Sequence, residues 1–470
     1  MSGASTRQLL KADWLLSMAG EAAKDGAILI EAGKIVGTAP LEQLQASFPA
    51  KNARFKDYGK AIIVPGLINL HTHLDYSSLS SLNNGKGLLP WTRTLMEAVS
   101  GWQPGDWLDS ARQGAKIAAR HGTSFLVDSS YSGSAAIAIA ESGLRGLVGL
   151  ELFGIDENKT ELDWTRWRRK FERLILSDGH ELNGALASGR LSVTAAPHAP
   201  YTVCPALWRL AKNWAAENNQ LLMTHLAESQ QECQWFLHNN EEMSEHLRFA
   251  FGSFRGGPAV PDSMFTWKQS GFSPIEHLER HNLLDDNLIA AHAVVVTDSD
   301  LTRLGSHGVS VAHCPRSNAR LQNGYAPLEK MRLKGLKIGL GTDSLASCED
   351  LDLLAEARFA VTLNRKLNPT TSYGARQALA GITIEAARCL NKANQIGSLE
   401  PAKSADLAIF QIPEELSASP TFPQLDPYEL LLWGNCQLLE LFVDGVSIYE
   451  SGHDPLTAKR SPATQHKLDR

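Results

Sequence analysis

His71 and His73, two residues apart in "LINLHTHLDY", close an apolar run. Residues i and i+2 of a strand point to one face, so the two imidazoles stand side by side where a core would take apolar groups. Taken alone, the pair is either a metal grip or two polar residues ending a strand. Other short apolar runs end the same way: His198 in "LSVTAAPH", His225 in "QLLMTHLAE", His292 in "NLIAAHAVV" and His313 in "VSVAHCP", with Asp343 in "LKIGLGTDS". His71, His73, His225 and Asp343 together offer three imidazoles and one carboxylate, a donor set for a catalytic Zn(II) that leaves a position for water. The same set suits Fe(II) or Mn(II). One such divalent cation lowers the pKa of water to ~7. Glu228, three residues after His225, is placed to move protons at a reacting atom. Its plainer reading is a glutamate opening a helix, where the helix dipole favours negative charge.

These residues need strands that bring them to one place. Eight candidates stand at residues 67–73, 123–130, 145–154, 191–198, 220–228, 287–295, 309–315 and 336–344. They are near-continuous apolar runs, as strands buried on both faces of a parallel sheet require. Segments of helical spacing lie between them, for example 108–122 and 205–219. Eightfold strand–helix alternation predicts an α/β fold, a (β/α)8 TIM barrel, whose chemistry sits at the C-terminal strand ends. Histidines at five of those ends and Asp343 at the last converge on one mouth. The chain's two ends read differently. "GAILIEAGKIVG" (26–37), "SADLAIFQI" (404–412) and "LELFVDGVSIYESG" (439–452) are short strands with tight turns, Asp444-Gly445 among them. The organisation expected is a small β-sandwich domain built from both termini (1–64 and 395–456), a barrel over 65–394, and a loose polar tail, 457–470. The stretch 155–190, with "WTRWRRKFERL", reads as an extended packed helix, and 237–286 as a lid or substrate loop.

The 470 residues carry a net charge of −6 with 43% hydrophobic and 20% charged residues, which gives no reason to expect nucleic acid or an anionic membrane as partner. Six scattered cysteines without C-x-x-C argue for a reducing compartment, the cytoplasm. No uninterrupted apolar stretch reaches the ~20 residues that span a bilayer, and the first residues lack a signal peptide's apolar region.

The ordered strings "PGLINLHTHL", "THLAES", "AHAVVV", "HCPRSNARL" and "GTDSLAS" resemble the amidohydrolase superfamily over almost the whole chain. The nearest branch is that of cytosine, guanine, adenosine-derivative and aminodeoxyfutalosine deaminases with the triazine hydrolases. The resemblance implies one metal on His71, His73, His225 and Asp343, since the lysine that binuclear relatives carry at the end of strand 4 has no counterpart in "LSVTAAPHAP". It implies Glu228 as proton shuttle and His292 as the residue that orients the attacking water or polarises the scissile group. Glu151, on the third strand, is either a support behind the ligands or, as in a few relatives, a further ligand. The implied reaction is hydrolytic deamination: Asp343 takes a proton from water, Glu228 protonates the ring nitrogen beside the amino-bearing carbon, and ammonia leaves.

For the substrate, a small molecule, His198 in "APHAPYT" resembles a contact residue of nucleoside-type deaminases, and Trp91 an aromatic over the site. Asp75 and Tyr76 follow the ligand pair within reach of a sugar or amide. Ser317 or Asn318 stands near the ring edge, or else caps a helix. The glutamate that adenosine-derivative deaminases place before that tryptophan is missing from Leu88 to Pro90, which makes aminodeoxyfutalosine deaminase-like members the closer resemblance. His121, His180, His238, His246, His277, His281, His307, His453 and His466 read as surface or loop residues. Relatives often pair, so a homodimer is expected. Two other functions fit parts of the pattern: hydrolysis of a cyclic amide or chloro-heterocycle at the same metal, and a non-catalytic barrel that binds.

Overall fold

Parallel strands followed by helices make up the middle of the chain in the computed structural model. The structure describes residues 7–452 except 49–52, 81, 83, 84, 86, 178, 253–259, 266 and 419–421. The expected tail at 457–470, with His453 and His466, lies outside the described residues. The chain divides into two compact units. One comprises the residues up to Gly66 and those from Leu399 onward; the other is Leu67–Ser398.

The central unit holds β1 (Leu67–Thr72), β2 (Thr123–Ser130), β3 (Arg145–Leu152), β4 (Leu191–Pro197), β5 (Leu222–Leu226), β6 (Leu288–His292), β7 (Ser310–His313) and β8 (Lys337–Leu340). They form two four-stranded parallel sheets, ordered β4-β3-β2-β1 and β5-β6-β7-β8. At the seams, backbone bonds run from His225 N–H to the His198 carbonyl (2.8 Å) and from Asp343 N–H to the His71 carbonyl (3.0 Å). Each seam bond therefore joins two of the residues that sequence reading singled out. Seven of the eight strands contribute to one apolar cluster, through Ile68, Val127, Leu147, Ala196, Met223, Ile289 and Ala312 among others. Each large side chain buried there stabilises the unit by about 1.5–3 kcal/mol.

Helices follow every strand, for reasons visible in sequence. Pro104–Arg120 begins on a proline at its first turn, and the Asp106 carboxylate accepts the Gln103 N–H at 2.7 Å. It buries Ala111, Ala115, Ala118 and Ala119 along one stripe and gives way to Gly122 at φ +83°. Thr160–Ile175, the helix read from "WTRWRRKFERL", packs Trp164 on Trp167 with ring centroids 4.8 Å apart, and Trp167 Nε1 donates to the Leu150 carbonyl at 3.0 Å. These tryptophans hold the helix against β3. The stretch read as a lid carries helices Glu241–Phe251 and Pro274–Arg280.

In the terminal unit, one sheet orders Lys34–Pro40, Gly26–Glu31, Gln8–Lys11 and Arg54–Asp57. The other orders Val446–Glu450, Gln437–Val443, Leu407–Gln411, Ala61–Pro65, Trp14–Leu15 and Ala23–Lys24. The two chain ends meet strand to strand, Ala61–Pro65 pairing antiparallel with Leu407–Gln411. Leu10, Ile28 and Ile30 from the first sheet share an apolar cluster with Ile63, Leu407 and Phe442 from the second. Both hairpins turn on residues with positive φ, Ala32-Gly33 (50° and 76°) and Asp444-Gly445 (50° and 69°), as the twist of two-residue hairpins requires.

Candidate active site

The strand ends carry the site. His71 belongs to β1, and His73 is the residue just past its end. His225 lies in β5, His292 closes β6, and Asp343 follows β8 by three residues. The chain bends sharply there: His292 (φ 77°), Ala293 (46°), Ala227 (51°) and Asp343 (60°) all sit at positive φ. Conformations of this kind cost about 1–3 kcal/mol each in non-glycine residues and gather at functional sites. Gly341 makes the β8 approach feasible, since a Cβ there would lie 2.7 Å from the His71 backbone nitrogen.

The imidazoles converge. His73 Nε2 lies 3.0 Å from His225 Nε2, and Asp343 Oδ1 is 3.7 Å from both His71 Nε2 and His73 Nε2. Donors around one tetrahedral zinc, each about 2.0–2.2 Å from it, lie roughly 3.3 Å apart, so the spacing of His71, His73 and Asp343 approaches that of one cation's ligands, and His225 adjoins them through His73. The protonation pattern fits as well. His225 Nδ1 donates to the His198 carbonyl at 2.9 Å, which leaves Nε2 with its lone pair facing the cluster. His71 Nε2 is buried without a hydrogen-bond partner, a position that a cation would satisfy. Burial holds His71, His73 and His225 neutral by pushing their pKa values down, the state that ligation needs. Among the described residues, three overlapping groups are placed to hold an ion: His71, His73 and Asp343; His71, His225 and His292; and His73, Glu151 and His225.

Asp343 is braced from behind. Its Oδ2 accepts Ser317 Oγ at 2.6 Å and Ser347 Oγ at 2.9 Å, while Oδ1 faces the imidazoles. Burial pushes its pKa up, but His71, His73, His292 and the Ser317 hydroxyl outweigh that and hold it below the usual carboxylate range. Glu228 is held similarly. Its Oε1 accepts Asn323 Nδ2 at 2.9 Å, and its Oε2 stands 3.8 Å from His292 Nε2. Burial raises its pKa, with His292 and Asn323 opposing. Glu228 does precede a helix, Gln230–Leu237, but Ser229 caps it and the Glu228 carboxylate turns into the site. The buried Glu232 fixes that turn, accepting the backbone N–H groups of Ala227 (3.0 Å) and Glu228 (2.8 Å).

A cavity of about 450 Å³ opens over the cluster, and His73, His225, His292, Glu228 and Asp343 form part of its lining. His198 and Trp91 line it too. The Trp91 indole is fixed by a 2.9 Å bond to the Ala346 carbonyl, and His198 Nδ1 pairs with Thr202 Oγ1 at 2.9 Å. Glu151 faces the cavity, 3.9 Å from His73 Nδ1, its pKa pushed up to about 8 by burial and by Asp75.

Three residues expected to touch substrate are held by protein partners. Asp75 is fully buried, and its oxygens accept Ser130 Oγ (3.0 Å), Ser132 N–H (2.7 Å) and Ser132 Oγ (2.9 Å), so it ties β1 to β2. Ser317 is spent on Asp343, and Asn318 Oδ1 accepts His292 Nδ1–H at 2.9 Å; both are fully buried and absent from the cavity lining. His313, placed with the converging histidines by its strand end, lines a separate cavity beside Pro327 and Asn364. His246 and His277, read as surface or loop residues, are buried, and His246 lines the main cavity from helix Glu241–Phe251. Ser347, Asn323 and Glu232 carried no signal of their own in sequence. "SQQE" at 229–232 looks only like a helix cap.

With a histidine and aspartate cluster at the ends of parallel strands, the family model that matches is the amidohydrolase family, over residues 62–445. The chain belongs to the amidohydrolase family. This amidohydrolase is 30% identical over 456 residues to a 5-methylthioadenosine/S-adenosylhomocysteine deaminase of Symbiobacterium thermophilum, covering 94% of each chain. It shares its fold with a zinc-bound adenosine deaminase from Xanthomonas campestris (TM-score 0.74, 22% identity, 96% of each chain). The fold is also that of Helicobacter pylori aminofutalosine deaminase (TM-score 0.71, 19% identity, 94% of this chain and 100% of that one). The family and these neighbours imply a TIM-barrel fold for the amidohydrolase. Among the described residues, no helix is long and apolar enough to cross a membrane.

Proposed function

We propose that this amidohydrolase removes an amino group from a purine-like or related heterocycle by hydrolysis, releasing ammonia, with one Zn(II) or Fe(II) on His71, His73, His225 and Asp343. The observation that carries the reading is the Glu228 carboxylate, held by Asn323 and set 3.8 Å from His292 beside the cluster. A buried acid with a raised pKa at that point suits protonation of a ring nitrogen. The relative named for adenosine-derivative deamination supports the same chemistry. The proposal includes closure of the eight strands into one barrel, supported by the two seam hydrogen bonds, and a terminal β-sandwich, supported by the core its two sheets share. Six unpaired cysteines support the cytoplasm as its location.

When bound, the divalent cation supplies Lewis acidity and brings the pKa of water to ~7. Asp343 Oδ1, the oxygen left free by Ser317 and Ser347, takes the proton of the attacking water. With Nδ1–H donated to Asn318, His292 turns Nε2 to the site, where it orients that water or polarises the scissile group. Glu228 protonates the ring nitrogen next to the amino-bearing carbon, Asp343 passes the proton it took from water to the departing amine, and the hydroxyl proton lost as the intermediate collapses restores Glu228. The buried setting of these groups excludes competing water.

Ammonia release across aminated purines, pteridines and pyrimidines, with chloro-triazines and cyclic amides alongside, tests the proposal. Ammonia from at least one aminated ring, lost with little loss of metal in Glu228→Gln, is expected. Chloride release or ring opening without ammonia overturns it.

A further inference from the structure

The cavity is larger than a heterocycle alone requires. Its 450 Å³ falls within the roughly 300–1,000 Å³ of sites that enclose drug-sized ligands. The imidazole and carboxylate cluster is one end of it. From there a run of ring contacts leads away: His225 to His198 (4.8 Å between centroids), His198 to Phe153 (4.7 Å), Phe153 to Tyr131 (6.2 Å), Tyr131 to Trp107 (5.4 Å) and Trp107 to Trp102 (4.9 Å). All six residues line the cavity. Helix Leu88–Val99 adds Leu95, Met96 and Val99 to the lining.

Charge is confined to the cluster end. Among the described lining residues the carboxylates are Glu151, Glu228 and Asp343, each within 4 Å of a clustered histidine, and lysine and arginine are absent. Lys170 sets its ammonium over the Tyr131 ring at 5.4 Å and donates to the Tyr131 carbonyl, outside the lining. His246 adds no charge, since burial lowers its pKa to about 4. A zwitterionic or phosphorylated group at the aromatic end would lose its water without gaining a counter-charge. An apolar or aryl group there would stack and bury area.

Granting the deaminase reading, we infer that the substrate's heterocycle carries an uncharged apolar or aryl appendage remote from its amino group, and that Trp102 and Trp107 select for it. The test compares kcat/KM of the zinc-loaded enzyme for adenosine, 5′-phenylthio-5′-deoxyadenosine, S-adenosylhomocysteine and AMP. The phenylthio compound is expected to exceed each of the others by about tenfold or more, the scale of an added apolar contact in a pocket. Trp102→Ala and Trp107→Ala are expected to retain metal and to collapse that preference. Preference for S-adenosylhomocysteine or AMP, or a preference unmoved in both variants, overturns the inference. If none of the four releases ammonia, the wider panel of aminated rings above decides the deaminase reading. Calorimetric binding of the matching inosines then decides the inference alone: tighter binding of the phenylthio form supports it, and equal or weaker binding overturns it.

Discussion

Ser317 Oγ donates to Asp343 Oδ2 at 2.6 Å, and Ser347 Oγ shares the same oxygen at 2.9 Å. The two hydroxyls leave Oδ1 as the oxygen turned to the imidazoles. Outer partners of metal-binding carboxylates contribute about 10–100-fold to metal affinity or activity. Ser317→Ala is therefore expected to weaken zinc binding by about tenfold or more, read by competition with a chromogenic chelator. Wild-type affinity in this variant would show that Asp343 needs no such brace.

Asn318 acts on His292 as Ser317 acts on Asp343. Asn318→Leu removes the acceptor for Nδ1–H and frees the imidazole to adopt the other tautomer. We expect kcat to fall by about 10–100-fold while metal content, measured by mass spectrometry, stays at the wild-type level. A change in KM alone would return Asn318 to the role of a substrate contact.

Asp75 separates structure from recognition. Its carboxylate satisfies two hydroxyls and one backbone N–H in a fully buried place. Leaving buried groups without partners costs about 1–3 kcal/mol each, so Asp75→Ala should lower the denaturation midpoint by at least about 2 kcal/mol equivalent. KM for a substrate that is turned over should change less than twofold. A large rise in KM at unchanged stability would contradict the geometry.

Gly341 lies against the His71 backbone, where a Cβ would come within 2.7 Å. Backbone cannot yield there as a flexible side chain can, so Gly341→Ala should displace either Asp343 or His71. The expected result is a folded protein by circular dichroism with a metal content well below wild type. Full occupancy would mean that the seam between β1 and β8 tolerates more movement than the packing suggests.

The strands were legible because a segment buried on both faces must be apolar along its whole length. The histidines were legible because each interrupts that rule at a strand's end. The predicted strands still run a few residues long, for instance 336–344 against Lys337–Leu340, since the chain bends through Asp343 at positive φ and apolar content says nothing of that bend. Asp75 precedes Tyr76, which does face the cavity, and Ser317 and Asn318 stand four and three residues before Leu321, which also does, but all three side chains are held by protein partners. Their partners, Ser130 and Ser132, Asp343, and His292, stand 26 or more positions away, beyond the reach of any local pattern. His246 was missed for a related reason: its role follows from where helix Glu241–Phe251 lies, and nothing in the spacing of that helix distinguishes a cavity wall from ordinary packing.

The central claim is a single cation shared by His71, His73, His225 and Asp343. Metal stoichiometry by inductively coupled plasma mass spectrometry, on the wild-type chain and on His73→Ala and His225→Ala, tests it most directly. The account predicts about one divalent ion per wild-type chain, as a mononuclear catalytic site holds, and a small fraction of that in each variant. Two ions per wild-type chain, or an unchanged content after loss of either histidine, would contradict it.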